Sequence, residues 1–210
     1  MIGPAYRIVT PRLVIRCYEP RDAAMVKAAI DASLPELKRF MSWAHGEPTD
    51  SETKVALLRQ FRGRFDLGQD FVYGIFDAAE RECVGGAGLH TQKDPHVREI
   101  GYWIATTHTK HGYATEAASA LAQVAFRVDR AARLELRSLP DNAASVAVAR
   151  KIGMQLEGTA RSAHVWHDGT TRDMLVFSAT PADLDRMPAR LVPIEAFGAA
   201  GERLTQPNAR

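Results

Sequence analysis

The segment from Gly101 to Ala118 (GYWIATTHTKHGYATEAA) holds the residues best suited to bind an anion. An apolar strand, GYWI, runs into a short polar turn, which leads through Gly112 into an alanine-rich helix. The first amides of a helix have no partner within it and lie at the positive end of its dipole. Because Gly112 has no Cβ, a diphosphate can approach its backbone closely. The segment predicts an anion site, although a glycine before a helix is also typical of an ordinary turn.

The elements around this segment alternate between helical and extended patterns. Apolar alternation predicts a first strand over residues 7–17, and the spacing of apolar residues predicts a helix over Ser51–Asp66. The further predicted strands are 71–76, 83–89, 98–105, 133–139, 159–167 and 171–178, and the further helices are 23–33, 36–40, 112–128 and 143–152. This order predicts a mixed α/β sheet. The glycines in 83–89 indicate a bulge or a close approach of the backbone.

The chain of 210 residues is most simply one domain with a substantial core. We expect the domain to span residues 1–180. The proline- and alanine-rich residues 181–210 are interpreted as a C-terminal extension or tail, partly disordered toward Arg210.

Composition excludes several classes of function. The net charge is +2, and Lys and Arg are scattered, so no nucleic-acid partner is predicted. Cys17 and Cys83 form no CxxC pair, and the spacing of His90, His96 and His108 matches no metal set, so no metal is predicted. The N-terminus lacks a secretion signal, and no apolar run approaches the ~18 residues of a membrane span. We therefore expect no membrane partner and a cytoplasmic location.

Seven motifs in this order resemble the GNAT acetyltransferase superfamily, in particular its branch of RimJ and RimL ribosomal-protein acetyltransferases. The resemblance covers about residues 6–180. The motifs are TPRLVIR at 10–16, LKRFMSWA at 37–44, EIGYWI at 99–104, HGYATEA at 111–117, DNAAS at 141–145, KIGM at 151–154 and DGTTRDMLVFS at 168–178.

The resemblance implies a fold and a cosubstrate. The implied fold is a largely antiparallel, twisted sheet with helices on both faces and a splayed central strand pair. Acetyl-CoA would lay its pantetheine arm along Tyr102–Thr106, with bonds to the backbone of Ile104 and Thr106, and its diphosphate on the amides of the glycine turn. Thr109 stands where the family often has Gln or Arg, so a side-chain contact from Thr109 is not expected. The residues implied in the cofactor site are Ile104, Ala105, Thr106, Lys110, His111, Gly112, Tyr113, Ala114, Thr115, Asn142 and Lys151.

For several of these residues, an ordinary structural role would explain the residue type as well. Lys110 could supply charge to a phosphate or be an exposed loop lysine, and Lys151 could reach the adenosine phosphate or simply be exposed. Asp141 and Asn142 are both suited to cap the helix that follows them, and an Asn142 cap is compatible with a contact to the pantetheine arm.

The resemblance also implies a reaction, direct attack of an amine on the thioester in a ternary complex. Ser145 matches a position whose hydroxyl acts as the acid near the CoA sulfur, but it could also be an ordinary serine of a first helical turn. Glu99 and His164 are alternative bases. Glu99 could instead pair with Arg98 or Arg137, and His164 could be a half-exposed strand residue. The resemblance implies that the segment with Trp43 lies over the acceptor.

The predicted function is an N-acetyltransferase acting on a primary amine, most simply the N-terminal amine of a protein. The alternatives are a small-molecule amine, such as an aminoglycoside, polyamine or amino acid, and a non-catalytic sensor of acyl-CoA. Family members often dimerise, so a homodimer is a further expectation of the resemblance.

Overall fold

The computed structural model describes residues 4–205, which alternate short strands with helices. The strands are β1 (Arg7–Val9), β2 (Leu13–Cys17), β3 (Phe71–Asp77), β4 (Cys83–Thr91), β5 (Val97–Ile104), β6 (Arg133–Ser138), β7 (Gln155–Val165), β8 (Thr171–Ala179) and β9 (Glu195–Phe197). The helices are α1 (Ala23–Asp31), α2 (Leu34–Phe40), α3 (Ser51–Asp66), α4 (Tyr113–Arg127), α5 (Ala143–Ile152) and α6 (Pro181–Leu184).

All the strands belong to one sheet, in the order β7-β8-β6-β5-β4-β3-β2-β1-β9. Neighbouring strands are antiparallel except for β5 and β6, which run parallel. In the described chain these two pair over Val97–Glu99 and Arg133–Glu135 and then part, although each continues for several residues. The mixed, largely antiparallel sheet and its splayed central pair are confirmed.

The sheet is covered on both faces because its central strands carry apolar residues on both sides. In β3, Tyr73 and Ile75 belong to the core under α4, whereas Phe76 belongs to a second core under α1 and α3. Successive side chains of a strand point to opposite faces, so this alternation places helices on both sides. In α4 every residue from 116 to 126 is buried, which makes this helix the centre of the larger core.

The turn that interrupts the predicted first strand holds Thr10 at its corner. Instead of one strand over 7–17, the chain forms β1 and β2, and the Thr10 amide donates to the Leu13 carbonyl at 2.9 Å. The Leu13 amide donates back to the Thr10 hydroxyl at 3.0 Å. Pro11 cannot donate to a strand ladder, so it favours a turn here. The helix predicted over Ser51–Asp66 is confirmed, as is the bulge between β3 and β4.

The C-terminal residues differ from the interpretation of an appended tail beginning at residue 181. Strand β9 pairs with β1 and so extends the sheet, and Gln123 of α4 donates to the carbonyls of Ala189 and Val192 at 3.0 and 2.8 Å. Five residues of this segment are buried in the larger core: Leu184, Met187, Ala189, Ile194 and Ala196. The prolines set the turns, while the apolar residues between them anchor the segment. The last five residues, for which disorder was expected, lie outside the described part of the chain.

Within residues 4–205, the structure has no helix with both the length and the apolar composition needed to cross a bilayer.

Truncating Ile194 should show that the C-terminal segment belongs to the folded domain. Ile194 is only 6% exposed, so Ile194→Ala should leave a cavity and lower the free energy of unfolding by about 2–4 kcal/mol. The control is Leu191→Ala, which removes a 67% exposed side chain and should change stability by less than about 0.5 kcal/mol. Urea unfolding would measure both, and equal effects would contradict the packing described here.

Candidate active site

The parting of β5 from β6 leaves backbone groups of β5 facing an open gap. The Ala105 amide donates to the Val84 carbonyl of β4 at 2.9 Å. Successive residues of a strand direct their N–H and C=O groups to opposite neighbours. The backbone groups of Tyr102 and Ile104 therefore point away from β4 and into the gap. The resemblance implied free backbone groups at Ile104, and their bond to a pantetheine arm stays a prediction.

Thr106 does not present the free backbone groups that the resemblance implied, and the backbone groups of the neighbouring Ala105 are bonded within the chain as well. The Thr106 amide donates to the hydroxyl of Ser33 at 2.9 Å, and the Thr106 carbonyl accepts from the amide and hydroxyl of Thr109. The Ala105 side chain is buried, and its carbonyl accepts from the His108 amide. The prediction of a backbone bond from Thr106 is corrected, because the chain turns into a 3₁₀ turn at Thr106 and uses these groups itself.

The glycine turn has the conformation that its sequence requires. Gly112 is the first residue before α4 and has a φ of 83°, in the left-handed region that glycine adopts without strain. Tyr113, Ala114 and Thr115 form the first helical turn, whose amides lack partners inside the helix. His111 and Lys110 precede Gly112 and are exposed. The predicted anion-binding geometry is present.

Arg12 holds this turn in place, a role that sequence reasoning missed. Its Nε donates to Glu116 at 2.7 Å, and its Nη1 donates to the His111 carbonyl at 2.9 Å. Glu116 is only 7% exposed and also accepts from the Thr10 hydroxyl at 2.6 Å. The β1–β2 turn is thereby tied to the first turn of α4. The available signal was TPRLVIR, which was noted as a motif without a role for its arginine.

Ser145 lies across the gap from β5, at the start of α5. Its amide donates to Oδ1 of Asn142 at 3.1 Å, so Asn142 caps the helix. Its hydroxyl is 3.2 Å from the hydroxyl of Tyr102, a partner that sequence reasoning also missed. Burial raises the pKa of Tyr102 to about 12, against a smaller lowering by the bond to Ser145. Tyr102 therefore keeps its proton at neutral pH and can donate to Ser145.

A cavity of about 850 Å³ joins the gap to the face of the sheet covered by α1 and α3. Trp43 stands at its rim, 45% exposed, with its ring centroid 6.2 Å from that of Trp103. The cavity brings together Glu99, His164, Ser145, Asn142 and Trp43, which were predicted for different parts of the site. The additional charged and polar residues in its lining include Glu47, Lys54, Asp70, His90, Tyr102 and Arg137.

Glu99 lies where the two parting strands separate. Burial raises its pKa, while the positive charges of Arg137 and His90 act in the opposite direction. The Arg137 Nε atom is 3.7 Å from Glu99 Oε2. This is the pairing that the sequence left open for Glu99. Arg98 instead pairs with Asp129 at 2.5 Å.

His164 lies on β7 opposite Arg172 of β8, beside a bulge in that pair. Its ring centroid is 5.8 Å from that of the buried Trp166. Its position in the cavity lining keeps it as a second candidate for proton transfer.

Lys151 lies at the other end of α5 from Asn142. It belongs to the last turn of that helix and is exposed. Its expected contact with an adenosine phosphate therefore stays a prediction.

The two cysteines are poor nucleophiles. Both are buried, and burial raises the pKa of each, to about 12 for Cys83. A thiol needs its thiolate form to attack. Among residues 4–205, no three His, Cys, Asp or Glu side chains cluster as metal ligands would.

Comparisons with known proteins agree with this geometry. The family model described as an acetyltransferase (GNAT) domain matches residues 12–155, so the chain belongs to the GNAT acetyltransferase family.

Two curated relatives and one solved structure show the similarity. The uncharacterised N-acetyltransferase YoaA of Bacillus subtilis (strain 168) is 28% identical over 170 residues, covering 80% of this chain and 93% of that protein. The [ribosomal protein uS5]-alanine N-acetyltransferase of Escherichia coli (strain K12) is 25% identical over 185 residues, covering 86% and 93%. The structure of Mycobacterium smegmatis RimJ in complex with CoA-disulfide shares the fold, with a TM-score of 0.73, 24% identity and coverage of 89% and 91%.

Removing the charge of Arg137 should raise the pKa of Glu99 further. The positive charge of Arg137 favours the carboxylate, so Arg137→Gln favours the protonated acid. Carboxyl ¹³C NMR titration would follow Glu99. In the control, Arg203→Gln, the changed residue pairs with Glu195 of β9 at the far edge of the sheet, so Glu99 should titrate as in the wild type. A lowered pKa of Glu99 in Arg137→Gln would contradict the assignment.

Proposed function

We propose that this acetyltransferase transfers an acetyl group from acetyl-CoA to the N-terminal amine of a protein. The observation that carries the proposal is the gap between β5 and β6. The glycine turn and the backbone of Ile104 lie on one side of this gap. The cavity lined by Glu99 lies on the other side. The relative from E. coli is named for acetylation of an alanine in ribosomal protein uS5, which supports a protein acceptor.

The chain's own groups fit acetyl-CoA along this path. An extended pantetheine arm would bond to the backbone of Ile104 as an added strand does. The diphosphate would lie on the amides from His111 to Thr115, with the positive charge of Lys110 beside it. Asn142 uses Oδ1 as a cap, which leaves its amide group to face the arm.

The reaction needs proton transfers at both the amine and the thiolate. The ammonium of the acceptor must lose a proton before it attacks the thioester carbon, and Glu99 accepts that proton. As the new N–C bond forms, the nitrogen loses its second proton to water. As the C–S bond breaks, Ser145 donates its hydroxyl proton to the departing thiolate. Tyr102 then reprotonates Ser145 across their 3.2 Å contact and regains its own proton from water. His164 is the alternative acceptor of the first proton.

A small-molecule amine, such as an amino acid, polyamine or aminoglycoside, is the second candidate acceptor. The tip of the β7–β8 hairpin contacts the turn 42–46, since the rings of His45 and His167 stack with centroids 3.4 Å apart. His45 also lies 5.9 Å from Trp166. Other residues of the same two segments, Trp43 and His164, line the largely apolar cavity, and such a cavity suits a small ligand.

An acceptor panel separates these functions. We expect release of CoA thiol from acetyl-CoA to be fastest with N-terminal peptides, and to differ sharply among peptides with different first residues. Selective turnover of amino acids, polyamines or aminoglycosides would favour the second candidate. Uniformly slow turnover of all peptides would contradict the proposal.

Substitutions should identify the base. If Glu99 is the base, Glu99→Gln should lower kcat/KM roughly 100-fold or more and remove the acidic limb of the pH profile. That limb should lie above the ordinary pKa of Glu, because burial raises the pKa of Glu99, and activity should fall as the pH falls through it. The control Glu195→Gln changes an exposed carboxylate of β9.

His164→Ala should have the smaller effect. A loss of the acidic limb in His164→Ala, with little change in Glu99→Gln, would transfer the role to His164.

A further inference from the structure

Asp70 and His90 form a pair in the cavity beside Glu99, and neither residue has a role in the reaction proposed above. His90 of β4 lies directly opposite Glu99 of β5 in the antiparallel register. Its Nδ1 is 3.1 and 3.2 Å from the two carboxylate oxygens of Asp70. Side chains directly opposite each other on such a pair have Cβ atoms about 4.5–5.5 Å apart. His90, Glu99 and Asp70 all line the cavity.

The sheet leaves room for the His90 ring. The ring lies over Gly88 and Gly101, which are themselves opposite each other in the β4–β5 pair. A Cβ on Gly88 would come within 2.6 Å of Cε1 of His90, and one on Gly101 within 3.2 Å of Nε2. Glycine within a strand weakens it, because glycine has no side chain to pack and loses more conformational entropy on folding. Two such glycines under one imidazole define a fixed position for that ring.

The orientation leaves one nitrogen for proton transfer. Because Nδ1 bonds to Asp70, Nε2 is the nitrogen that lies over the glycines in the cavity. The carboxylate of Asp70 favours the tautomer with the proton on Nδ1, so Nε2 can accept a proton. The side chain of His90 is partly exposed, which gives such a proton a route to solvent.

Charged groups from each neighbouring element face this pair. Asp70 approaches from the residue before β3, and Glu99 comes from β5. Further along the cavity, β6 contributes Arg137, which bonds to Glu135 at 3.1 Å, and β7 contributes His164. On the helical side of the cavity, Lys54 of α3 pairs with Glu47. On the sheet, Arg172 of β8 lies opposite His164.

We propose that His90, oriented by Asp70, takes up the acceptor's proton from Glu99 and passes it to solvent. This inference rests on the proposed function. The ammonium of the acceptor gives one proton to Glu99, and Glu99 passes it through a bridging water to Nε2 of His90. The resulting imidazolium, paired with Asp70, releases the proton to water. Glu99 is thereby returned to the carboxylate form for the next turnover.

The electrostatics of the pair agree with this role. Burial disfavours the charged imidazolium, but the hydrogen bond and charge of Asp70, with a further contribution from Glu99, raise the pKa of His90 overall. A raised pKa means that neutral His90 is lost as the pH falls below that value. His90 should therefore contribute its own acidic limb, above the ordinary ~6.5 of histidine.

Kinetics of His90→Gln and Asp70→Asn test the proposal. With the best acceptor of the panel, His90→Gln should lower kcat/KM roughly 10- to 100-fold at neutral pH and remove the upper acidic limb. Asp70→Asn should move that limb to lower pH, because it removes the group that raises the pKa of His90. The control His96→Gln changes an exposed histidine of the β4–β5 connection. Its profile should match the wild type.

A fall in activity that is uniform across pH in both variants would overturn the relay and leave His90 a structural residue. Unchanged kcat/KM in His90→Gln would overturn it as well. NMR titration of the imidazole gives a readout without turnover: the pKa of His90 should fall in Asp70→Asn, and an unchanged value would contradict the pairing. Failure of the proposed function is distinguishable, since wild-type protein would then turn over no peptide at all.

Discussion

Beyond Glu99 and Glu135, the parallel strands β5 and β6 stop pairing, and the backbone groups that face the gap must be satisfied in another way. The chain satisfies one of them itself, since Ser33 accepts from Thr106. The groups of Tyr102 and Ile104 stay directed into the gap. An extended ligand with amide groups of its own is the partner that such an edge accepts. The cofactor path and the acceptor cavity both follow from this single interruption of the sheet.

The gap also joins two different environments. On the side of α4 and α5, the glycine turn, the cap of Asn142 and the Tyr102–Ser145 pair supply donors for an anion and a leaving group. On the side of α1 and α3, Glu99 and His90 supply acceptors for a proton. Donors and acceptors on opposite sides of one opening suit a reaction in which an amine loses a proton and a thiolate gains one.

The glycine turn could be predicted because local sequence determines it, since Gly112 needs a left-handed φ. Glu99, Ser145 and His164 came instead from the resemblance of their motifs to those of a family. Arg12 and Asp70 were missed because their partners, Glu116 and His90, are far away in sequence. Residues 181–210 were interpreted as an extension or tail because of their proline and alanine content. The register that pairs β9 with β1 depends on the tertiary fold.

Amide hydrogen exchange with and without CoA would test the central claim most directly. If the gap holds the pantetheine arm, CoA should slow exchange at Ile104. The amide of Thr106, already bonded to Ser33, should change little. Slowed exchange confined to other parts of the sheet, with Ile104 unaffected by saturating CoA, would contradict the account of the gap as the binding path.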